Sequence, residues 1–205
     1  MLDFPKRLLR KLEERVQDDS LRTLDHEPGL VDFTSNDYLG LAKSETLFSK
    51  TFQLLLNKNI AENGATGSRL LTGNHSLYET VESLLSSFHD VESALVFNSG
   101  YDANVGFFSS VPLRGDFIFY DELVHASIRD GMAMSNAKSY KFPHNDIVGL
   151  QEKISSVLKD TEPEKGIEIY IVTESVFSMD GDSPDLKALA QFCAEKRYRL
   201  VVDEA

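Results

Sequence analysis

Two hydrophobic periods alternate along this chain. Leu8, Leu9, Leu12 and Val16 fall at near-helical spacing among Lys, Arg and Glu, which predicts an amphipathic N-terminal helix. Residues 31–34 (Val-Asp-Phe-Thr) alternate as a short strand, and turn-forming residues at 35–40 end it. Leu77, Val81, Leu84, Leu85 and Phe88 make the apolar face of a helix, with Asn74 or Ser76 as its candidate cap. The run 94–97 (Ala-Leu-Val-Phe) reads as a buried strand, Asn98, Ser99 and Gly100 break it, and 101–108 turns helical. From there the alternation is regular. Strands are expected at 117–120, 139–142, 167–173 and 199–202. Helices are expected from 125 to about 133, along Ile147, Leu150, Ile154 and Leu158, and along Leu186, Leu189, Ala190 and Cys193. Loops are expected at Pro28-Gly29, at 62–73 and at the polar turn 161–166.

Strands alternating with helices predict an α/β fold, a mostly parallel sheet covered on both faces. In such sheets ligands sit outside the carboxyl ends of the strands. The polar residues at those ends, 98–100, 121–122, 173–175 and 203–204, therefore converge on one edge. A strand that turns into a helix through Ser99-Gly100 leaves backbone N–H groups pointing outward at the helix start, where a phosphate is favoured. Glycine lets the backbone come close to such an anion.

Composition narrows the picture. With 41% hydrophobic residues the chain has enough apolar material for a substantial core. A formal net charge of -12 argues against binding nucleic acid through a basic surface. A lone cysteine, Cys193, forms no intrachain disulfide and fits a reducing compartment. With no apolar run of transmembrane length and no signal-peptide pattern at the charged N-terminus, the expected location is cytoplasmic.

Several residue types invite chemistry. Asp203 follows an apolar strand, so its carboxylate needs a partner. It reads either as a helix cap or structural ion pair, or as the counter-ion of a bound heterocyclic cation. His125, just past a strand end, reads as a capping or core histidine as readily as a ligand contact. Arg22 is a surface arginine or a fork for a carboxylate, and Asn36 an Asx-turn residue or a ligand contact. The glycines of 62–73 suit close approach by a ligand or a second subunit, or a flexible surface loop. His26, His75, His89, His125 and His144 show no metal-ligand spacing, and no Gly-x-Ser-x-Gly elbow or dinucleotide fingerprint occurs.

Five runs together resemble a known family: Ser35-Asn-Asp-Tyr-Leu-Gly-Leu41, Ser99-Gly-Tyr-Asp-Ala-Asn104, Asp121-Glu-Leu-Val-His-Ala-Ser127, Glu174-Ser-Val-Phe-Ser-Met-Asp-Gly-Asp182 and Val201-Val-Asp-Glu-Ala205. Each is moderate alone; in this order, over nearly the whole chain, they are strong. The chain resembles the α-oxoamine synthases, pyridoxal-phosphate (PLP) enzymes of the aspartate-aminotransferase-like fold. It is most similar to those members that condense L-alanine with a pimeloyl thioester to give 8-amino-7-oxononanoate in biotin synthesis. The alternatives are members of glycine C-acetyltransferase or serine palmitoyltransferase type, or a non-catalytic partner subunit.

The resemblance implies a role for each candidate residue. Gly100 and Tyr101 would hold the PLP phosphate, His125 would stack over the pyridine ring, and Asp203 would pair with its protonated nitrogen. Glu174 and Ser178 would line the cofactor pocket. Arg22 would meet the acyl substrate's carboxylate, Asn36 the substrate carboxylate, and His125 the substrate as well. The thioester would be of coenzyme A or an acyl carrier protein, and the protein a homodimer with the 64–73 loop near its interface. Residues 1–45 would form an N-terminal segment and 46–205 the PLP-binding large domain. In the family, the Schiff-base lysine, a histidine directly after the position of Ala205, and a small domain with its arginine all lie further on. The resemblance therefore implies an N-terminal portion without turnover of its own. Lys187 and Lys196, on an expected helix, do not replace that lysine.

Overall fold

The computed structural model describes residues 4–24, 29–159 and 166–204, and the chain divides into two compact units, Met1–Ala65 and Thr66–Ala205. The first holds α1 (Lys6–Gln17) and α2 (Glu45–Asn57). Ser44 caps α2, its Oγ accepting the N–H of Leu47 at 3.2 Å. The hydrophobic pattern gives α1 correctly but does not single out α2.

The strand expected at 31–34 does not form. Asp32 Oδ1 accepts the N–H groups of Thr34 (2.9 Å) and Ser35 (3.0 Å), so a side chain takes the donors that a ladder would need. Asp37 likewise captures the N–H groups of Leu41 and Ala42. Pro28 and residues 161–165 of the expected loops lie outside the described residues, whereas Gly29 stands at φ +96°, in the left-handed region that favours glycine.

The second unit opens with α3 (Ser76–His89) and α4 (Gly100–Ser110), then alternates β1 (Phe117–Asp121), α5 (Ala126–Met134), β2 (Lys138–Phe142), α6 (Ile147–Leu158), β3 (Ile169–Glu174), α7 (Leu186–Lys196) and β4 (Arg199–Asp203). All pairings are parallel, in the order β2-β1-β3-β4. The chain goes from β1 to β2 on one side, then crosses back to β3 and β4 on the other. The order therefore reverses between β1 and β3, which places a crevice outside their carboxyl ends.

Alternating side chains divide the core in two. Phe117, Phe119, Ile169 and Ile171 pack with Leu150 and Ile154 of α6 and Leu189 and Cys193 of α7. Ile118, Tyr170 and Val172 pack on the opposite face with Phe108 of α4 and Ile128 and Met132 of α5. Every residue of β3 is buried, and its first four, Ile169 to Val172, run without a charged residue before Thr173 and Glu174 at the carboxyl end. Each such aliphatic or aromatic side chain contributes about 1.5–3 kcal/mol through burial.

Residues 94–97 are a correction. No strand forms there, and Leu95 is 65% exposed. Among the described residues no ladder partner lies alongside; instead the Val96 N–H donates to Glu82 Oε1 of α3 at 2.9 Å. The same carboxylate grips Arg69 through both oxygens, at 2.6 and 3.0 Å, and the Arg69 guanidinium holds the Glu82 carboxyl down to about 2. The cap of α3 is His75, between the two expected residues; its Nδ1 accepts the Leu77 N–H. In the glycine-rich loop the close approach is by the chain itself, since a Cβ on Gly73 would stand 1.8 Å from the Gly67 carbonyl oxygen.

Helices α4 and α5 meet at Gly131, where a Cβ would lie 2.9 Å from both the Asn104 carbonyl oxygen and Phe108 Cβ. The absence of a side chain lets the two helices close and sets Asn104 beside Ser127. Gly131→Val is expected to destabilise the fold by about 1–3 kcal/mol through overpacking, measured by urea unfolding. An unchanged midpoint would contradict the contact.

Candidate active site

The site is built from the ends of elements. Ser99, the N-cap of α4, accepts the Asp102 N–H on its Oγ at 3.0 Å. The N–H groups of Gly100 and Tyr101 meet no acceptor among the described residues, as expected in a first turn. A Cβ at Gly100 would meet nothing within 4 Å, so the approach to these donors is open. The Tyr101 hydroxyl donates to Asp130, tying the start of α4 to the middle of α5.

Four residues after Gly100 on α4, the half-buried Asn104 donates through Nδ2 to Asp203 Oδ2 (2.7 Å) and to Ser127 Oγ (3.0 Å). Asp203 ends β4 and pairs in register with Glu174 at the end of β3. The buried Glu174 accepts the backbone N–H of His125, and burial pushes its carboxyl above the ordinary range, with the charge of Asp203 adding to the rise. His125 is the N-cap of α5: its Nδ1 accepts the Ser127 N–H at 3.2 Å and lies 2.7 Å from Ser127 Oγ. The capping role is thus real, and the rest of the exposed ring faces outward.

Gly100, Tyr101, His125, Glu174 and Asp203 therefore gather at one edge of the sheet, on the side of α4 and α5. Ser178 lies in an exposed turn beyond β3, held by Phe177 N–H to the Asp182 carbonyl and Gly181 N–H to the Phe177 carbonyl. Arg22 and Asn36 lie exposed in the first unit, Asn36 in a turn whose carbonyl accepts the Tyr38 N–H. Residue-by-residue reading of the motif left Asn104 and Ser127 without a role; only their junction through the tertiary fold reveals one.

A second carboxylate network occupies the opposite face. Asp121, fully buried at the end of β1, accepts the N–H groups of Leu123 and Asn145 and pairs with His144 Nδ1 at 2.9 Å. Nε2 of the same imidazole reaches Asp182 at 2.8 Å. Burial alone would lower the His144 pKa. The hydrogen bonds and charges of Asp121 and Asp182 outweigh it and raise the value, as two flanking carboxylates favour the imidazolium.

Beside this bridge lies a cavity of about 140 Å³ lined by Asp121, Phe142, Asn145, Thr173, Asp185 and Leu189, among others. It contains none of the candidate cofactor residues. Thr173 Oγ1, on its wall, is buried without a hydrogen-bond partner among the described residues.

The model of the family described as aminotransferase class I and II matches residues 28–205. The chain belongs to that family. It is 38% identical over 205 residues to a protein of Methanococcus vannielii named "Putative 8-amino-7-oxononanoate synthase", covering 98% of this chain and 52% of that one. A Bacillus cereus protein of the same name is 41% identical over 196 residues, covering 96% and 47%. Among solved structures, a serine palmitoyltransferase of S. paucimobilis carrying a PLP–myriocin aldimine superposes with a TM-score of 0.77 at 25% identity, over 98% of this chain and 53% of that one. An 8-amino-7-oxononanoate synthase of Francisella tularensis superposes at 0.62 with 29% identity, over 87% and 46%. The chain spans about half the length of the curated relatives it matches. The resemblance to α-oxoamine synthases and the parallel α/β architecture are borne out.

The His144 bridge has a pH signature. Its pKa is higher folded than unfolded, so its stabilisation is fully present below about pH 6.5, the ordinary histidine value, and fades as pH rises through the raised folded value. The melting-temperature gap between wild type and His144→Gln should therefore shrink with rising pH in a calorimetric series. A gap that widens would contradict the bridge.

Proposed function

We propose that the protein is a PLP-dependent acyltransferase that condenses L-alanine with a pimeloyl thioester, releasing carbon dioxide and the free thiol of the acyl carrier and giving 8-amino-7-oxononanoate. One observation carries the reading: α4 offers an open glycine start for an anion and, one turn on, holds the strand-end carboxylate Asp203 at 2.7 Å through Asn104. An anion seat and a carboxylate fixed by one helix suit a phosphorylated pyridinium. The donor set fits PLP, which when bound supplies an electron sink for an amino acid's α-carbon.

The chain's own residues then divide the work. Gly100 and Tyr101 hold the phosphate with backbone N–H groups, and Asp203 keeps the ring nitrogen protonated. His125 covers the ring and meets the substrate. Glu174 fixes the His125 backbone, and Ser178 borders the pocket from its turn. Arg22 takes the acyl carboxylate as a bidentate fork, and Asn36 a substrate carboxylate. In this reading residues 1–45 are an N-terminal segment and 46–205 the cofactor-binding domain. The whole protein is a cytoplasmic homodimer, with the 64–73 loop near its interface and coenzyme A or an acyl carrier protein bearing the acyl group.

A second reading, a serine palmitoyltransferase-type enzyme, is favoured by the superposition with a TM-score of 0.77. Substrate preference separates the two. The protein as its gene encodes it should show the absorbance band of bound PLP and use alanine with pimeloyl thioester at least about tenfold better than glycine or serine with other acyl thioesters. A preference for serine with a long-chain thioester would support the second reading, and no PLP band would overturn both. Asp203→Asn should lower kcat by about 10²–10³-fold, the usual loss of one preorganised electrostatic partner.

A further inference from the structure

We infer that Asn104 and Ser127 are positioning residues that fix the tautomer of His125, so that its neutral ring carries the proton on Nε2 and presents an N–H donor outward. The juxtaposition is a chain of four side chains: Asp203 Oδ2, Asn104 Nδ2 at 2.7 Å, Ser127 Oγ at 3.0 Å, and His125 Nδ1 at 2.7 Å.

Each link fixes the next. An ionised carboxylate only accepts, so the atom of Asn104 that faces Asp203 is the amide nitrogen, not the oxygen. That nitrogen has two hydrogens, and its second contact is Ser127 Oγ, which therefore accepts. The hydroxyl proton of Ser127 is then left to donate, and His125 Nδ1 is the partner within reach. The backbone adds an independent constraint: the Ser127 N–H points at the same Nδ1 from 3.2 Å in the N-cap of α5.

The reverse arrangement fails on both counts. A proton on Nδ1 would face the Ser127 N–H and would leave the Ser127 hydroxyl, fully buried, without an acceptor among the described residues. A buried unsatisfied donor is costly, so two donors aimed at one nitrogen favour the Nε2–H form by about tenfold or more.

The consequence for chemistry rests on the proposed function. If PLP lies between Asp203 and His125, the Asp203 carboxylate that serves the ring nitrogen also sets, through Asn104 and Ser127, which histidine nitrogen donates to the substrate. Nε2, which meets no partner among the described residues, then offers a hydrogen bond to a substrate carboxylate or thioester carbonyl. Asn104 and Ser127 touch neither.

The test reads the tautomer directly and needs no cofactor. Two-bond ¹H–¹⁵N correlation spectra of the uniformly ¹⁵N-labelled chain, recorded without PLP at mildly alkaline pH, distinguish the two forms, and His125→Gln assigns the signal. Wild type should show His125 almost wholly as Nε2–H, with Nδ1 shifted as a hydrogen-bond acceptor. Asn104→Asp reverses the polarity at the second link: its carboxylate takes the Ser127 proton, so the Nδ1–H share should rise several-fold. If circular dichroism shows that this variant is unfolded, Asn104→Ala replaces it, with a smaller rise expected. A wild-type Nδ1–H form, or a mixture like that of the exposed His89, would overturn the inference. So would an unchanged tautomer in a folded Asn104 variant. Because PLP is absent, this outcome is independent of the absorbance test. A wrong tautomer in a PLP-binding protein refutes only the relay, and a correct one in a protein that binds no PLP refutes only the function.

Discussion

Four parallel strands that finish on the same edge impose one constraint on everything else. The two inner strands, β1 and β3, are buried along their length between helices, whereas the edge strand β2 leaves Lys138, Ser139 and Lys141 exposed, and the inner strands release their polar residues where cover stops. Asp121, Glu174 and Asp203 therefore arrive together at the carboxyl edge, although long stretches of chain separate them. Three carboxylates so close to a dry core need donors. The structure supplies them from backbone N–H groups, an amide and an imidazole rather than from a cluster of lysines.

The pleat then separates those carboxylates into two environments. Glu174 and Asp203 share the face of Val172 and Val201, toward α4 and α5, whereas Asp121 and Thr173 share that of Phe119 and Ile171, toward α6 and α7. On the first face the partners are neutral: the Asn104 amide and the His125 backbone. On the second, His144 bridges Asp121 and Asp182, whose hydrogen bonds and charges raise its pKa. The bridged face braces the loop from β3 to α7. The other sets Glu174 and Asp203 beside the open start of α4, where in the proposed function a cationic, phosphorylated ligand would find complementary ends.

Helix α4 joins these features. Its first turn presents the N–H groups of Gly100 and Tyr101, which meet no acceptor among the described residues, and its second reaches the strand-end carboxylate and Ser127 in the first turn of α5. The close contact at Gly131 holds the helix pair at the separation that the Asn104–Ser127 hydrogen bond requires. Packing and chemistry are coupled there: a change of spacing between the helices alters hydrogen bonding at the site.

The sequence by itself determined the four parallel strands, their covering helices, the glycine helix start and the family motifs. Their signals are local periodicity and runs of adjacent residues, which survive without knowledge of neighbours. It misjudged 31–34 and 94–97, where Asp32 and Glu82 take the backbone donors of a would-be strand; whether a short extended run becomes a strand depends on a partner supplied from elsewhere. It listed His125 and Asp203 but left their alternatives open, and it gave Asn104 and Ser127 no role. Only the tertiary structure decided those, because Asn104 and Asp203 stand 99 positions apart and a hydrogen bond between them leaves no period in the chain.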